Sequence, residues 1–117
     1  MILKTIKNCV IFLVLIFSYA KLAYANVVIN EVQLSPTEER FIELYNSGGS
    51  SVDLTDWYIQ RKTATGSTFS SLVSKTYFNG KSIDAGGYFV ISKSDMVNSD
   101  IVYSGLTLTE SNTIQLK

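Results

Sequence analysis

From residue 26 to residue 117 the chain contains neither cysteine nor histidine. Whatever this segment folds into is therefore held by apolar packing and hydrogen bonds alone, with no disulfide and no thiolate or imidazole metal site. Its 92 residues, 117 minus 25, are enough for one core and close to the size at which a single core is marginal. The accounting starts at Asn26 because residues 1–25 read as a secretory leader. Lys4 and Lys7 charge its start, Cys9 to Ala20 is apolar apart from Ser18, and Ala23-Tyr24-Ala25 has the small-x-small form cut by signal peptidase. The apolar run is about a dozen residues, shorter than the roughly 20 that span hydrocarbon, and Lys21 interrupts its far end. The expectation is a cleaved signal peptide over 1–25 and one domain over 26–117, secreted or held in the periplasm or at the cell surface, with no stable membrane insertion. Cys9 precedes the apolar run, where a lipidated cysteine would follow it.

Removal of the leader takes Lys4, Lys7 and Lys21 with it, leaving seven basic residues against ten acidic ones and a formal charge of minus three. Nucleic acid is not an expected partner, because its binders carry a basic stripe.

The residue pattern is that of strands throughout. Val27 to Leu34 is rich in β-branched residues and stops at Ser35-Pro36, a turn pair whose proline cannot donate to a ladder. Arg40 to Asn46 alternates, placing Ile42 and Leu44 on one face and Phe41, Glu43 and Tyr45 on the other. Ser47 to Ser51 reads as a loop, with Asn46 and its glycines suited to positive φ. A third strand is expected over Trp57–Lys62, with Trp57, Ile59 and Arg61 on one side. The Ser/Thr-rich stretch Thr63 to Lys75 reads as a connection with a short strand near Phe69. Asn79-Gly80, flanked by Thr76-Tyr77-Phe78 and Ser82-Ile83, is the strongest short-range turn dipeptide in the chain. Asp84 to Gly87 turns into a strand over Tyr88–Ser92, and Ser94 to Asp100 is a polar loop or one helical turn. Ile101–Tyr103, Leu106–Leu108 and Thr113–Leu116 read as short strands. No amphipathic helix of useful length and no repeat is present, so the expected class is an all-β sandwich. Lys117 follows an apparent strand where a hairpin partner is expected, which points to a sheet short of its last strand and to an exposed, pairing-prone edge.

Three segments, Ile29-Asn30-Glu31-Val32, Phe41 to Asn46 and Val52 to Ile59, together resemble the lamin tail domain, an immunoglobulin-like β-sandwich. Ile83 to Ile91 is similar to that family's glycine turn into a strand, and Leu106 to Leu116 to its closing segment, without a final strand. The Thr63 to Lys75 loop has no counterpart in the family pattern. The resemblance implies an interaction module, one that in exported proteins usually accompanies other domains, including hydrolases. The nuclear filament role of the animal members is not expected to carry over, since the chain has a leader and no coiled-coil rod.

Trp57 is assigned as the core filler between two sheets, with Ile42, Leu44 and Ile59 around it. Phe41, Tyr45, Tyr58 and Tyr88 are candidates for a binding surface, being among more aromatics than one small core needs, Tyr77 and Tyr103 included. Glu31 and Glu43, on candidate neighbouring strands, read as a solvated pair offset by Arg40 or Arg61 rather than an acid/base dyad. Asp95, Asn98 and Asp100 lack the alternate acidic positions and central glycine of a calcium loop and read as an acidic loop facing water. With no histidine base and no Ser-x-x-Lys or Gly-x-Ser-x-Gly arrangement, no catalytic, cofactor or metal residue is assigned. The expected function is a secreted, non-catalytic module that binds a protein or cell-surface ligand. The alternative is an N-terminal accessory domain of a larger exported hydrolase, such as a nuclease or phosphatase.

Overall fold

The computed structural model describes residues 26–117, so the signal-peptide reading of residues 1–25 lies outside the described residues. Among the described residues nine strands form an immunoglobulin-like β-sandwich: β1 (Val27–Gln33), β2 (Phe41–Asn46), β3 (Val52–Asp53), β4 (Ile59–Lys62), β5 (Ser70–Val73), β6 (Ser82–Ile83), β7 (Tyr88–Ser92), β8 (Ile101–Val102) and β9 (Thr113–Leu116). One layer is a four-stranded sheet in the order β1-β2-β7-β8, the other a three-stranded sheet in the order β5-β4-β9, and β3 pairs with β6 beside them. All pairings are antiparallel except β7 with β8. Among the described residues the only helical elements are two 3₁₀ turns, Thr37–Glu39 and Lys75–Tyr77.

Strict alternation builds the central strand. In β2, Ile42, Leu44 and Asn46 are buried while Phe41, Glu43 and Tyr45 are only partly covered, the period of two that a pleated strand imposes on its side chains. The inner residues meet Phe89 and Ile91 of β7, Ile59 of β4 and Leu72 and Val73 of β5 in one buried cluster. β1 keeps the same inner face by a bulge. Its register runs Val27↔Asn46, Val28↔Tyr45, Ile29↔Leu44 and then Glu31↔Glu43, Val32↔Ile42, so one residue is inserted at Asn30. That insertion allows Val27 and Ile29 to share a face with Val32 although their spacing changes from even to odd.

Asn46 departs from its expected role. Its backbone stays within β2 and does not take positive φ; among the described residues the one non-glycine residue that does is Asp56, in the turn before β4. The side chain is wholly buried and fully used. Its Nδ2 donates to the carbonyls of Ser50 at 2.8 Å, Asp84 at 3.1 Å and Ile83 at 3.2 Å, and its Oδ1 accepts the Gly48 N–H at 2.9 Å. The backbone adds a pair with the glycine turn, donating to Gly87 O at 3.0 Å and accepting from Gly86 N at 2.8 Å. One residue thus ties the loop after β2 to the turn before β7.

Trp57 is also corrected. It lies outside β4, which begins at Ile59, and is partly buried, packed against the core from its margin. The largest fully buried side chain is Phe78, whose ring lies 6.1 Å from that of Phe89 at an interplanar angle of 22°. Phe78 follows the 3₁₀ turn, and the chain reverses over Phe78–Lys81 with Gly80 at φ 72 and Lys81 N bonded to Phe78 O at 3.0 Å. The turn expected at Asn79-Gly80 is therefore present, with Gly80 and not Asn79 at positive φ. β6 leaves it to pair with β3. Leu106 and Leu108 are buried without forming a strand, and the Thr63 to Lys75 connection contains β5. Arg61 shares the core-side face of β4 at its edge and reaches out to Thr107, bonding its carbonyl and, at 2.8 Å, its Oγ1.

Asp53 closes β3 by accepting the Thr55 N–H at 2.8 Å, and this backbone bond, helped by the Thr55 side chain, holds its carboxyl below the ordinary value of 3.8. A depressed native pKa contributes stability above the unfolded value, which is lost as the pH falls through the native one. The gap in melting temperature between the wild type and Asp53→Asn should therefore narrow below pH 3.8, measured by thermal scans across the acid range.

Two substitutions rank the core. Phe78→Ala should cost about 3 to 5 kcal/mol and Trp57→Ala only about 2, in proportion to burial; urea unfolding that gave the reverse order would overturn the assignment. Asn46→Ala strands three carbonyls and an N–H and should cost about 3 kcal/mol. Asn46→Asp turns a carboxylate oxygen on those carbonyls and should cost at least as much at neutral pH, read in the same unfolding series.

Candidate functional site

The outward face of the four-stranded sheet carries several large side chains that the core does not use. Because antiparallel partners share a face, the registers Val28↔Tyr45↔Tyr88 and Glu43↔Val90 place two rows across β1, β2 and β7. In the first row the Tyr45 and Tyr88 rings lie 4.9 Å apart, tilted by 30°, with Tyr88 59% and Val28 49% exposed. In the second, Glu43 stands between Val90 and the bulged segment of β1, and Asn30 Nδ2 donates to its Oε1 at 2.8 Å. Neither Arg40 nor Arg61 offsets this carboxylate, contrary to expectation. Arg40 donates to Leu34 O and Leu106 O, and Arg61 is held by Thr107.

Residues 94–100 lie over the other end of this face. Their base is stapled: Ser92 Oγ, buried in the sheet, donates to Ser94 O at 2.7 Å and shares a 2.6 Å bond with Ser99 Oγ, which accepts Met96 N–H at 2.9 Å. Asp100 closes the loop on β7, its Oδ2 accepting Val90 N–H at 2.8 Å and its own N–H donating to Val90 O at 2.9 Å. With the ends fixed, the tip projects Val97 entirely into solvent, beside the partly covered Met96. Between loop and sheet opens a cleft of about 490 Å³ walled by Phe41, Glu43, Val90, Asp95, Met96 and Val97. It continues past Asn98 to Tyr88.

Of the four aromatics selected from sequence, Phe41, Tyr45 and Tyr88 share this face. Tyr58 does not; it precedes β4 in the opposite layer, beside Ser71, Ser74 and Lys75. Tyr77 pairs with Tyr103, ring centroids 4.8 Å apart. Ile42, Leu44 and Ile59 lie in the core directly beneath or opposite, with no solvent exposure. The loop itself was unforeseen as part of a site. Its signal is the apolar pair Met96-Val97 inside an otherwise polar stretch, with two serines and an aspartate spaced to staple it.

The arrangement offers contact area. Among the described residues no three His, Cys, Asp or Glu side chains converge to hold a metal ion. Within the Asp95, Asn98 and Asp100 set, Asp100 is already committed to the Val90 amide. Serine hydroxyls near the cleft are consumed by the loop's own hydrogen bonds.

No curated protein matches the chain. A family model described as Lamin Tail Domain matches residues 20–117, which takes in every strand of the sandwich. With that match over most of its length and the immunoglobulin-like layers in place, the chain belongs to the Lamin Tail Domain family.

Proposed function

We propose that this chain is an exported, non-catalytic binding module that attaches to a protein or cell-surface partner through the outward face of β1, β2 and β7 and the loop over 94–100. The observation that carries the reading is the stapled loop. A wholly exposed valine at the tip of a loop whose base is fixed by five hydrogen bonds is a side chain held out at an entropic cost already met in folding. Beside it, tyrosines supply rigid amphipathic area of the kind that recognition surfaces use. Export rests on the leader sequence over residues 1–25, and the module's acidic excess argues for partners other than nucleic acid.

The test is capture of partners from culture supernatant and envelope fractions by the product exported from the full chain. Val97→Asp and Tyr88→Ala should each weaken capture roughly tenfold or more, the range expected of central interface residues, while Tyr58→Ala should leave it unchanged. Capture that is indifferent to Val97→Asp and Tyr88→Ala, or that Tyr58→Ala abolishes, would place the contact elsewhere. Melting temperatures of all three variants separate lost contact from lost fold.

A further inference from the structure

We infer that the cleft between the 94–100 loop and the sheet receives a basic side chain, the alkyl stem and cationic head of a lysine or arginine on an extended segment of a protein partner. This rests on the binding-module reading and names the chemistry of its ligand. The cleft has an apolar lining in Phe41, Val90, Met96 and Val97, and two carboxylates among its lining residues, Glu43 from the sheet and Asp95 from the loop. Asp100 stands where the cleft runs on toward Tyr88. No lysine or arginine lines either part. An anionic ligand would meet uncompensated negative charge, and a wholly apolar one would bury carboxylates without partners, at the cost that attends any unpaired buried charge.

A lysine or arginine satisfies both halves. Its methylenes lie on apolar surface while its head reaches the carboxylates, the division of labour that long basic side chains adopt at interfaces. A cation over the Phe41 ring adds attraction of its own. Asn30 sets the geometry by binding Glu43 through Oε1, which orients the carboxylate against the sheet. The cleft, at about 490 Å³, has volume enough for one such side chain. Tyr88 at its far end offers an exposed ring to the next residue of an extended segment.

The probes are three blocked tripeptides with leucines on either side of lysine, arginine or glutamate, titrated into the purified chain while the Met96 and Val97 methyl signals are followed by NMR. The lysine and arginine peptides should shift those signals saturably, with dissociation constants of about a millimolar, and the glutamate peptide should not. Raising the salt from about 50 to about 300 mM should weaken binding several-fold, as for any partly exposed ion pair. The double variant Glu43→Gln with Asp95→Asn should weaken it roughly tenfold at an unchanged melting temperature. Equal binding of the glutamate peptide, or full binding by the double variant, would overturn the inference. If the double variant keeps its natural partner while Val97→Asp loses it, the interface stands and the basic ligand falls; if both keep it, the interface falls as well.

Discussion

The sandwich depends on one buried amide. Asn46 sits at the end of the central strand of the larger sheet, where the chain leaves β2 and where β7 enters from the glycine turn. Four side-chain hydrogen bonds and two from the backbone converge there. Loops that cross the end of a sandwich bring backbone carbonyls into a region water cannot reach, and each must find a donor or raise the energy of the fold. An amide with two N–H bonds and a carbonyl can serve both the loop after β2 and the turn before β7; an apolar residue of the same size can serve neither. Gly86, at φ 67, is the complementary element. Its left-handed backbone aims the N–H at Asn46 O and starts β7 in the register that sets Tyr88 beside Tyr45. The position of the outward aromatic row therefore follows from a polar contact on the inside.

Aromatic packing fills what the amide frames. Phe78 enters the core from a 3₁₀ turn and the reversal after it rather than from a strand, and lies against Phe89 of β7. Trp57 seals the margin where the turn containing Asp56 delivers the chain to β4. A tryptophan with a polar N–H is at ease half-covered, whereas phenylalanine has no polar atom to satisfy and takes the wholly dry site. Arg40 performs a similar sealing task at another margin, joining Leu34 to Leu106. The bulge at Asn30 works in the same direction. It lets Val27, Ile29 and Val32 share one face, increases local twist, and makes that edge a poorer template for another strand.

The strands that alternate cleanly were legible in the sequence, and the layered class followed from them. Phe41 to Asn46 shows its inner and outer faces to inspection because both faces are chemically distinct. What periodicity does not carry is a residue acting through its side chain in place of its backbone. Asn46 next to glycines has the composition of a left-handed turn, yet its amide, not its φ, does the structural work. The Asn79-Gly80 pair marks a turn that is present, but the residues before it form a 3₁₀ turn and those after it pair with β3, a long-range choice that a dipeptide cannot encode. The site divided along the same line. Phe41, Tyr45 and Tyr88 were identifiable as surplus aromatics, but the assignment of Tyr58 to their company required knowing which layer β4 joins. The 94–100 loop was read by its charges, which face water in most loops, and its two apolar residues gained meaning only once the staple placed them over the sheet.

That staple also explains how a small domain without cross-links keeps the 94–100 loop in a defined shape. Ser92 pairs with Val102 and Asp100 bonds Val90, so both ends of the loop are rooted in β7 or its parallel neighbour β8. A short segment with both ends rooted in adjoining strands has little conformational freedom left to lose when a partner arrives. The anchoring groups are hydroxyls and a carboxylate bonded to backbone, so they hold the loop's base without dictating the residues at its tip. Met96 and Val97 contribute nothing to the buried cluster, and the outward residues Glu43 and Val90 reach it only through their backbone. The core and the cleft are thus lined by opposite faces of the same strands, with Ile42, Leu44, Phe89 and Ile91 inward and the cleft residues outward. The outer face can change its chemistry while the inner face stays as it is, because in a pleated strand neighbouring side chains answer to different surroundings.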